Sequence, residues 1–169
     1  MTELINYINE VPDFPKQGIL FRDISPLLRS HFSELIRELS GLLTPVEINA
    51  FDYVAGIEAR GFAVGAALAC HLGKGFVPIR KKGKLPPTVE QITYDLEYGQ
   101  DVLEMHPGRG RVLLVDDVLA TGGTLNAAAQ LVERTGHILS GMLCIVDLAH
   151  LNNFSYNGQR AKSLIRYTA

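Results

Sequence analysis

The chain has 169 residues, of which 47% are hydrophobic and 20% charged, and this composition suits one globular domain with a sizeable core. Its net charge of −2 gives no general attraction to nucleic acid, and no apolar run approaches the roughly 20 residues that a membrane-spanning helix needs. The initial segment MTELINYINEVPDFP lacks the basic and apolar regions of a signal peptide, so we expect a cytoplasmic protein.

Two short helices are predicted in the first third of the chain. Residues 2–10 are compatible with a short helical segment, and residues 31–46 contain a clearer one. In the second segment, apolar side chains recur at helical spacing and would share one face. These side chains are Phe32, Leu35, Ile36 and Leu39.

Residues 51–80 and 111–148 each show a strand, a loop, a helix and a second strand. In the first unit, FDYVAGI is followed by EARG, GFAVGAALACHL and GFVPIR; in the second, RVLLVDD is followed by VLATGG, TLNAAAQLVERT and MLCIVDL. Gly73 and Gly136 follow the two helices, where a helix end favours glycine. The apolar runs are continuous, as in parallel strands that are covered on both faces. The pattern predicts an α/β fold with a mostly parallel central sheet flanked by helices.

The stretch between these units, residues 81–100, is rich in glycine, proline and tyrosine and shows no clear period. We predict a long irregular loop, which in a compact domain is usually functional or mobile. A basic cluster, Arg80-Lys81-Lys82-Gly83-Lys84, lies at its start. A solvated or nucleic-acid-binding patch is the general interpretation of such a run.

Two adjacent carboxylates, Asp116 and Asp117, end the apolar strand of the second unit. In an open parallel sheet, ligands bind beyond this end of the strands. Two carboxylates in such a place are costly without a partner. Ribose hydroxyls and a hydrated Mg²⁺ are the natural partners, because both interact favourably with carboxylate oxygens.

A loop that could hold a phosphate follows the acidic pair and leads into a helix. Its glycines would let the backbone approach an anion, while threonine hydroxyls and the free N–H groups of the helix start could surround it. The loop residues are Ala120, Thr121, Gly122, Gly123 and Thr124. A tight turn with a threonine cap is the plain alternative. The neighbouring acidic pair, together with the absence of GxxxxGK[ST] and GxGxxG motifs, favours a phosphate site of another class.

The whole segment VLLVDDVLATGGTL (112–125) resembles the signature of the type I phosphoribosyltransferases, which bind 5-phosphoribosyl 1-diphosphate (PRPP). Four further segments resemble the adenine phosphoribosyltransferase family, so the likeness covers nearly the whole chain. These segments are DFPKQGILFRDISPLL (13–28), GIEARGFAVGAALA (56–69), IRKKGKLP (79–86) and YDLEYG (94–99).

The resemblance implies the reaction of adenine with PRPP to give AMP and pyrophosphate, in a Mg²⁺-dependent homodimer of purine salvage. It also implies a single domain over residues 1–169 with the α/β type I phosphoribosyltransferase fold, including a flexible catalytic loop and a small hood. The hood would come from about residues 1–30 and the C-terminal region. Asp116 and Asp117 would bind ribose and Mg²⁺, directly or through water, and residues 120–124 would bind the 5′-phosphate of PRPP.

For the adenine end, the resemblance assigns Leu20, Phe21, Arg22 and Leu148. The backbone at Leu20 would bind the adenine edge, while Phe21 and Leu148 would cover the two faces of the ring. Judged from the residues alone, the two leucines and Phe21 could equally belong to the core. Arg22 could equally form a surface ion pair with Asp23.

For the pyrophosphate end, the resemblance assigns Arg60, Lys81 and Lys84. Arg60 lies in the loop of the first unit, between a strand and a helix, where a cation suits an anion site. A solvated loop arginine is the alternative. The resemblance also implies a non-proline cis peptide in this loop, which we expect at Ala59–Arg60.

Glu97, within YDLEYG, matches the catalytic glutamate of the family and would act on N7 of adenine as acid or base. Tyr94 and Tyr98 flank it and would help to exclude water. Without the resemblance, Glu97 would be interpreted as an ordinary exposed loop residue.

Two other functions stay open. The first is a phosphoribosyltransferase for another purine, such as hypoxanthine, guanine or xanthine, because backbone contacts that select the base are poorly legible in a sequence. The second is a non-catalytic PRPP-binding regulator, which would need a basic face or a nucleic-acid-binding module. The connection EMHPGRGR (104–111) is shorter than the usual one in the family, and we expect a turn distant from the chemistry.

Overall fold

The computed structural model describes residues 2–96 and 99–169. The strands in these residues are β1 (Asn9–Pro12), β2 (Leu20–Asp23), β3 (Tyr53–Ile57), β4 (Gly75–Lys81), β5 (Glu90–Leu96), β6 (Gly99–Met105), β7 (Arg111–Leu119), β8 (Ile138–Leu148) and β9 (Lys162–Tyr167). The helices are α1 (Ser25–Ser30), α2 (Phe32–Gly41), α3 (Pro45–Asn49), α4 (Arg60–Leu72) and α5 (Gly123–Arg134), and a 3₁₀-helix covers Glu3–Tyr7. Within the described residues, no helix combines the length and apolar character that crossing a membrane requires.

Seven strands form a central sheet in the order β5–β6–β4–β3–β7–β8–β9, and β1 pairs with β2 in a separate antiparallel ribbon. Neighbouring strands run parallel throughout the part of the sheet with the order β4–β3–β7–β8–β9. The β5–β6 hairpin is antiparallel and pairs with β4 through β6, also antiparallel. Leu113 and Val115 of β7 pack in a core with α2 and α4, while Val112 and Leu114 pack in a second core with α5. The predicted α/β fold, with helices flanking a mostly parallel sheet, is therefore confirmed.

Two predictions for the less regular segments are wrong. Residues 2–10 are not one helix, because the 3₁₀-helix ends at Tyr7 and β1 begins at Asn9. Residues 81–100 are not one irregular loop, because they contain β5 and the start of β6. Among residues 90–95 of β5, Ile92 and Tyr94 are drawn inward, against side chains from distant parts of the chain, and this alternation is too short to recognise in the sequence.

The short connection before β7 is confined to residues 106–110, since β6 takes up Glu104 and Met105. The Gly108 N–H donates to the Thr135 carbonyl just after α5, at 2.9 Å, and the Ile138 N–H donates to the Gly110 carbonyl, also at 2.9 Å. The turn therefore lies at the amino end of β7, away from the strand end that carries the acidic pair.

Helix α4 approaches β3 closely because both elements carry glycine at the contact. A Cβ atom at Gly56 of β3 would lie 2.5 Å from the Gly61 carbonyl oxygen, and a Cβ at Gly65 of α4 would lie 3.2 Å from the Gly56 Cα. The close approach positions Arg60, the first residue of α4, beside the end of β7.

Gly56→Ala should lower the free energy of unfolding by about 3 kcal/mol, since backbone must move to admit the methyl group. Gly41→Ala is the matched control: the same methyl group at the exposed end of α2 meets no atom within 4 Å. There the stability should be unchanged or raised by up to about 1 kcal/mol, because alanine favours a helix. Urea unfolding followed by circular dichroism measures both, and equal effects would contradict the packing argument.

Candidate active site

The carboxyl ends of β3, β7 and β8 meet at one edge of the sheet, and β7 lies in the middle. Arg60 begins the helix after β3, and Asp116 and Asp117 lie near the end of β7. Leu148 ends β8 beside them, with 8% of its surface exposed. Residues that are far apart in the sequence are thus brought to the edge where ligands bind in open α/β sheets.

The two carboxylates of the acidic pair are buried, with exposures of 8% for Asp116 and 9% for Asp117. The Asp117 N–H donates to Asp116 Oδ1 at 3.0 Å. Arg60 Nε lies 2.6 Å from Asp117 Oδ2 in an ion pair that lacks hydrogen-bond geometry, and this oxygen has no hydrogen-bond partner in the described part of the chain. Burial and the charge of Asp117 raise the pKa of Asp116 well above its usual value. The acidic pair can therefore interact with a further cation or accept a hydrogen bond from a further donor.

The loop 120–124 turns the chain from β7 into α5. Gly122 adopts φ 93°, and its carbonyl accepts the first bond of α5, from the Asn126 N–H at 2.9 Å. The N–H groups of the first turn of α5 have no partner within the helix. Thr121 is exposed and Thr124 half-buried beside them. A phosphate at this helix start would meet hydroxyl and backbone donors together with the positive end of the helix dipole.

The β5–β6 hairpin contacts the end of this loop through Tyr94. The Tyr94 hydroxyl interacts with Thr124 and with the Asp101 carboxylate. Asp101 also lies 3.0 Å from Lys81 Nζ, and the resulting hydrogen bond raises the pKa of Lys81. A chain of polar contacts from Lys81 to Thr124 therefore joins the basic cluster to loop 120–124, which we call the phosphate loop. Two predicted residues of this region, Glu97 and Tyr98, lie outside the described residues.

Lys84, the other predicted pyrophosphate lysine, is exposed and forms no ion pair with any residue that the structure describes. Its backbone is held by Glu104, a carboxylate of β6 that is 1% exposed. Glu104 accepts hydrogen bonds from the N–H groups of Gly83, Lys84 and Leu85, at 3.1, 2.7 and 2.7 Å, and from Gln91 Nε2 at 3.1 Å. Burial opposes ionisation, but these donors prevail and lower the pKa of Glu104.

Glu104 was not among the predicted site residues. The signal that could have revealed it is a single charge within the otherwise apolar run VLEM, because a buried charge requires dedicated partners.

The loop between β3 and α4 differs from prediction in one detail. The non-proline cis peptide joins Glu58 to Ala59 and not Ala59 to Arg60. The Glu58 carboxylate accepts hydrogen bonds from the Lys81 N–H at 2.9 Å and from Arg80 Nε at 3.3 Å. The Arg80 side chain and the Lys81 backbone are thus held by Glu58.

At the predicted adenine end, Phe21 of β2 reaches the same edge of the sheet. Its ring centroid lies 5.6 Å from the Arg60 guanidinium carbon and 5.1 Å from the Phe14 ring, which meets it edge-on. Leu20 is 44% exposed and so is not a core residue, whereas Leu148 is buried. Phe21 and the acidic pair are therefore neighbours across Arg60.

Arg22 points its side chain elsewhere. It is buried, forms an ion pair with Glu10, and stacks on the Tyr167 ring with its guanidinium carbon 4.1 Å from the centroid. Asp23, the alternative partner, instead accepts hydrogen bonds from the Ser25 N–H and hydroxyl at 2.9 and 2.6 Å. The Arg22 side chain thus connects the β1–β2 ribbon to β9, a contact that the sequence did not predict.

Comparison with known proteins places these features in a family context. The sequence profile described as "Phosphoribosyl transferase domain" matches residues 33–152. The adenine phosphoribosyltransferase of Hydrogenovibrio crunogenus is 49% identical over 97% of this chain and 96% of that protein. The crystal structure of adenine phosphoribosyltransferase from Thermoanaerobacter pseudethanolicus has 43% identity and a TM-score of 0.86, with 98% of each chain covered. The Saccharomyces cerevisiae enzyme, complexed with an imino-altritol bisphosphate and adenine, has 37% identity and a TM-score of 0.86, with 96% of each chain covered.

Glu104→Gln should lower the free energy of unfolding at pH 7 by about 1.5–3 kcal/mol, because a neutral amide accepts weaker hydrogen bonds from the three N–H groups. The pKa of Glu104 is lowered in the folded chain, so its contribution is complete above the unfolded value of about 4.3 and is lost as the pH falls through the folded value. The difference between wild type and variant should therefore shrink below about pH 5.

Urea unfolding between pH 7 and 3 measures this difference. Glu90→Gln, at an exposed position on β5, is the control and should change stability little at any pH. A difference for Glu104→Gln that stayed constant across this range would show that ionised Glu104 does not hold the turn.

Proposed function

Because this chain belongs to the adenine phosphoribosyltransferase family, a family of pentosyltransferases, we propose that it transfers the 5-phosphoribosyl group of PRPP to N9 of adenine. The products are AMP and pyrophosphate, and the role is purine salvage. The observation that carries this proposal is the buried pair Asp116 and Asp117 between the phosphate loop 120–124 and Arg60. An anion site, a site for ribose hydroxyls and an aromatic ring thus lie side by side.

PRPP would be held at two points. Loop 120–124, at the start of α5, would bind the 5′-phosphate through backbone N–H groups and the hydroxyls of Thr121 and Thr124. Asp116 and Asp117 would accept hydrogen bonds from the ribose hydroxyls. Anchoring both ends fixes the ribose C1 in line with N9 of adenine, and such positioning lowers the entropic part of the barrier.

The acidic pair also fits Mg²⁺. Asp117 Oδ2 is buried without a hydrogen-bond partner in the described residues, and burial next to the Asp117 charge raises the pKa of Asp116. Mg²⁺ commonly binds one or two carboxylates together with substrate phosphates and water. No group of three or more acidic, histidine or cysteine ligands occurs in the described residues, so substrate and water would complete the shell. When bound, the ion would help to neutralise the diphosphate leaving group.

Departure of pyrophosphate leaves positive charge on the ribose ring, as in glycoside chemistry. Arg60, Lys81 and Lys84 would stabilise the negative charge on the leaving group. Arg60 is already next to the acidic pair, Lys84 is exposed, and Lys81 is held by Asp101. The carboxylates of the acidic pair would stabilise the developing charge on the ring.

For adenine, the backbone at Leu20 would bind the ring edge, and Phe21 and Leu148 would cover its two faces. Arg22 would stabilise this end because its guanidinium holds β2 against the Tyr167 ring. This contact is consistent with a hood formed by about residues 1–30 and the C-terminal region. Glu97 would transfer a proton at N7, with Tyr94 and Tyr98 excluding water.

We further propose a cytoplasmic homodimer, and light scattering measures its mass.

A base panel tests the choice of acceptor. With PRPP and Mg²⁺, adenine should be converted to its nucleotide with kcat/KM at least about 100-fold above that for hypoxanthine, guanine or xanthine. The reason is that donors and acceptors arranged for the adenine edge are left without partners by the edge of a 6-oxopurine. Chromatography of the nucleotide products measures the rates. A 6-oxopurine as the best acceptor would establish the alternative purine specificity, and PRPP binding without any nucleotide product would establish a regulator.

Changing Asp116 and Asp117 together to Asn should weaken PRPP binding about 30–150-fold, because each change replaces charge-assisted hydrogen bonds worth about 1.5–3 kcal/mol by neutral ones worth about 0.5–1.5 kcal/mol. Titration calorimetry with PRPP and Mg²⁺ measures the affinity. Asp52→Asn is the control, since Asp52 pairs with Arg111 at the opposite end of β7. If the double variant kept wild-type affinity while remaining folded, the acidic pair would have no part in PRPP binding.

A further inference from the structure

Asn152, in the segment between β8 and β9, lies behind the phosphate loop. Its Nδ2 group donates to the Ala120 carbonyl at 2.8 Å, to the Leu148 carbonyl at 3.0 Å and to Asp147 Oδ1 at 3.1 Å. Ala120 opens the phosphate loop, and Leu148 belongs to the proposed adenine end. One side-chain amide therefore connects the two ends of the site.

The orientation of this amide is determined by its surroundings. Asn152 Oδ1 accepts a hydrogen bond from the Phe154 N–H at 3.1 Å, so the oxygen faces a donor and the nitrogen faces three oxygens. An amide carries two N–H hydrogens, and all three acceptors are served if one of them is shared. The reversed orientation would place oxygen against oxygen, which no proton could bridge.

Phe154 supports the same loop at a second point. A Cβ atom at Gly122 would lie 2.8 Å from Phe154 Cδ2, so the ring packs directly against the Gly122 backbone. Gly122 has φ 93°, the left-handed conformation that turns the chain into α5. The loop is therefore held by a hydrogen bond at Ala120 and by an aromatic ring at Gly122.

The support is itself tied to the sheet. Asp147, near the end of β8, pairs with Arg166 of β9 at 3.3 Å and accepts from Asn152. In a trans peptide the carbonyl and the following N–H point in opposite directions. Holding the Ala120 carbonyl toward Asn152 therefore directs the Thr121 N–H away from it.

We propose that Asn152 is a positioning residue that holds the phosphate loop in its anion-binding conformation and fixes its distance from Leu148. The identity of the anion as the 5′-phosphate of PRPP rests on the proposed function, whereas the support of the loop rests on the contacts of Asn152 and Phe154 alone. Neither residue has to touch substrate, because the effect passes through the backbone of residues 120–122.

Asn152→Asp is the sharpest variant. It keeps the shape of the side chain and the acceptor for the Phe154 N–H, but turns a carboxylate oxygen toward Asp147 and two carbonyls. The KM for PRPP should rise at least about tenfold, with a smaller change in kcat, because ground-state binding of the phosphate is what the loop provides. Asn152→Ala, which adds no charge, should change KM in the same direction by a smaller factor.

Two controls separate positioning from general destabilisation. Asn153→Asp places the same charge one residue further on, at an exposed side chain that accepts from Arg160. Ser140→Ala removes another side-chain hydrogen bond to backbone, from the Ser140 hydroxyl to the Ala50 carbonyl at 3.0 Å, at the other end of β8. Both should leave the KM for PRPP within about twofold of wild type, since neither contacts the loop.

Amide hydrogen exchange in the ligand-free protein gives a readout that does not depend on the reaction. Residues 121–126 should exchange several-fold faster in Asn152→Asp than in wild type, and the two controls should not change them. Wild-type exchange there, or equal rises in KM for Asn152→Asp and Ser140→Ala, would overturn the positioning role. Absence of AMP formation by the wild-type protein would instead overturn the proposed function, and the exchange experiment would still decide the role of Asn152.

Discussion

Burying Asp116 and Asp117 side by side at the end of β7 removes them from water, and this cost must be met by neighbouring groups. Arg60 provides one positive charge at 2.6 Å from Asp117, which requires α4 to begin at the end of β3, beside β7. That closeness depends in turn on Gly56, because any side chain there would push the helix away. The packing of α4 and the charge balance of the acidic pair therefore depend on each other, and the proposed ribose hydroxyls and Mg²⁺ would be the remaining partners of the pair.

Two of the predicted pyrophosphate residues, Lys81 and Lys84, are held by acidic groups of β6. Asp101 holds the Lys81 ammonium, and Glu104 holds the backbone around Lys84. Buried carboxylates with several donors form rigid anchors, since breaking them leaves an unpaired charge. Lys81, which ends β4, and the backbone around Lys84 are therefore held in place by carboxylates of β6.

The phosphate loop is supported from the opposite side. Asn152 and Phe154 hold Ala120 and Gly122, so the support of the loop does not depend on the N–H groups and hydroxyls that would face the phosphate. A loop that is already ordered loses less conformational entropy when its ligand arrives. The lysine segment 81–84 and the phosphate loop are thus each held by residues that the proposed substrate site does not include, namely Asp101, Glu104, Asn152 and Phe154.

The sequence by itself determined the parallel α/β core, the acidic pair and the glycine loop, because these depend on local features: continuous apolar runs, adjacent charges and residues that tolerate a left-handed turn. Its likeness to a known family extended the predictions to the adenine end. Only the tertiary structure decided the β5–β6 hairpin and the supporting contacts. Arg22 meets Tyr167, residues 83–85 meet Glu104, and Ala120 meets Asn152. Each contact joins residues distant in the sequence, where no local pattern records which donor will meet which acceptor once the core has packed.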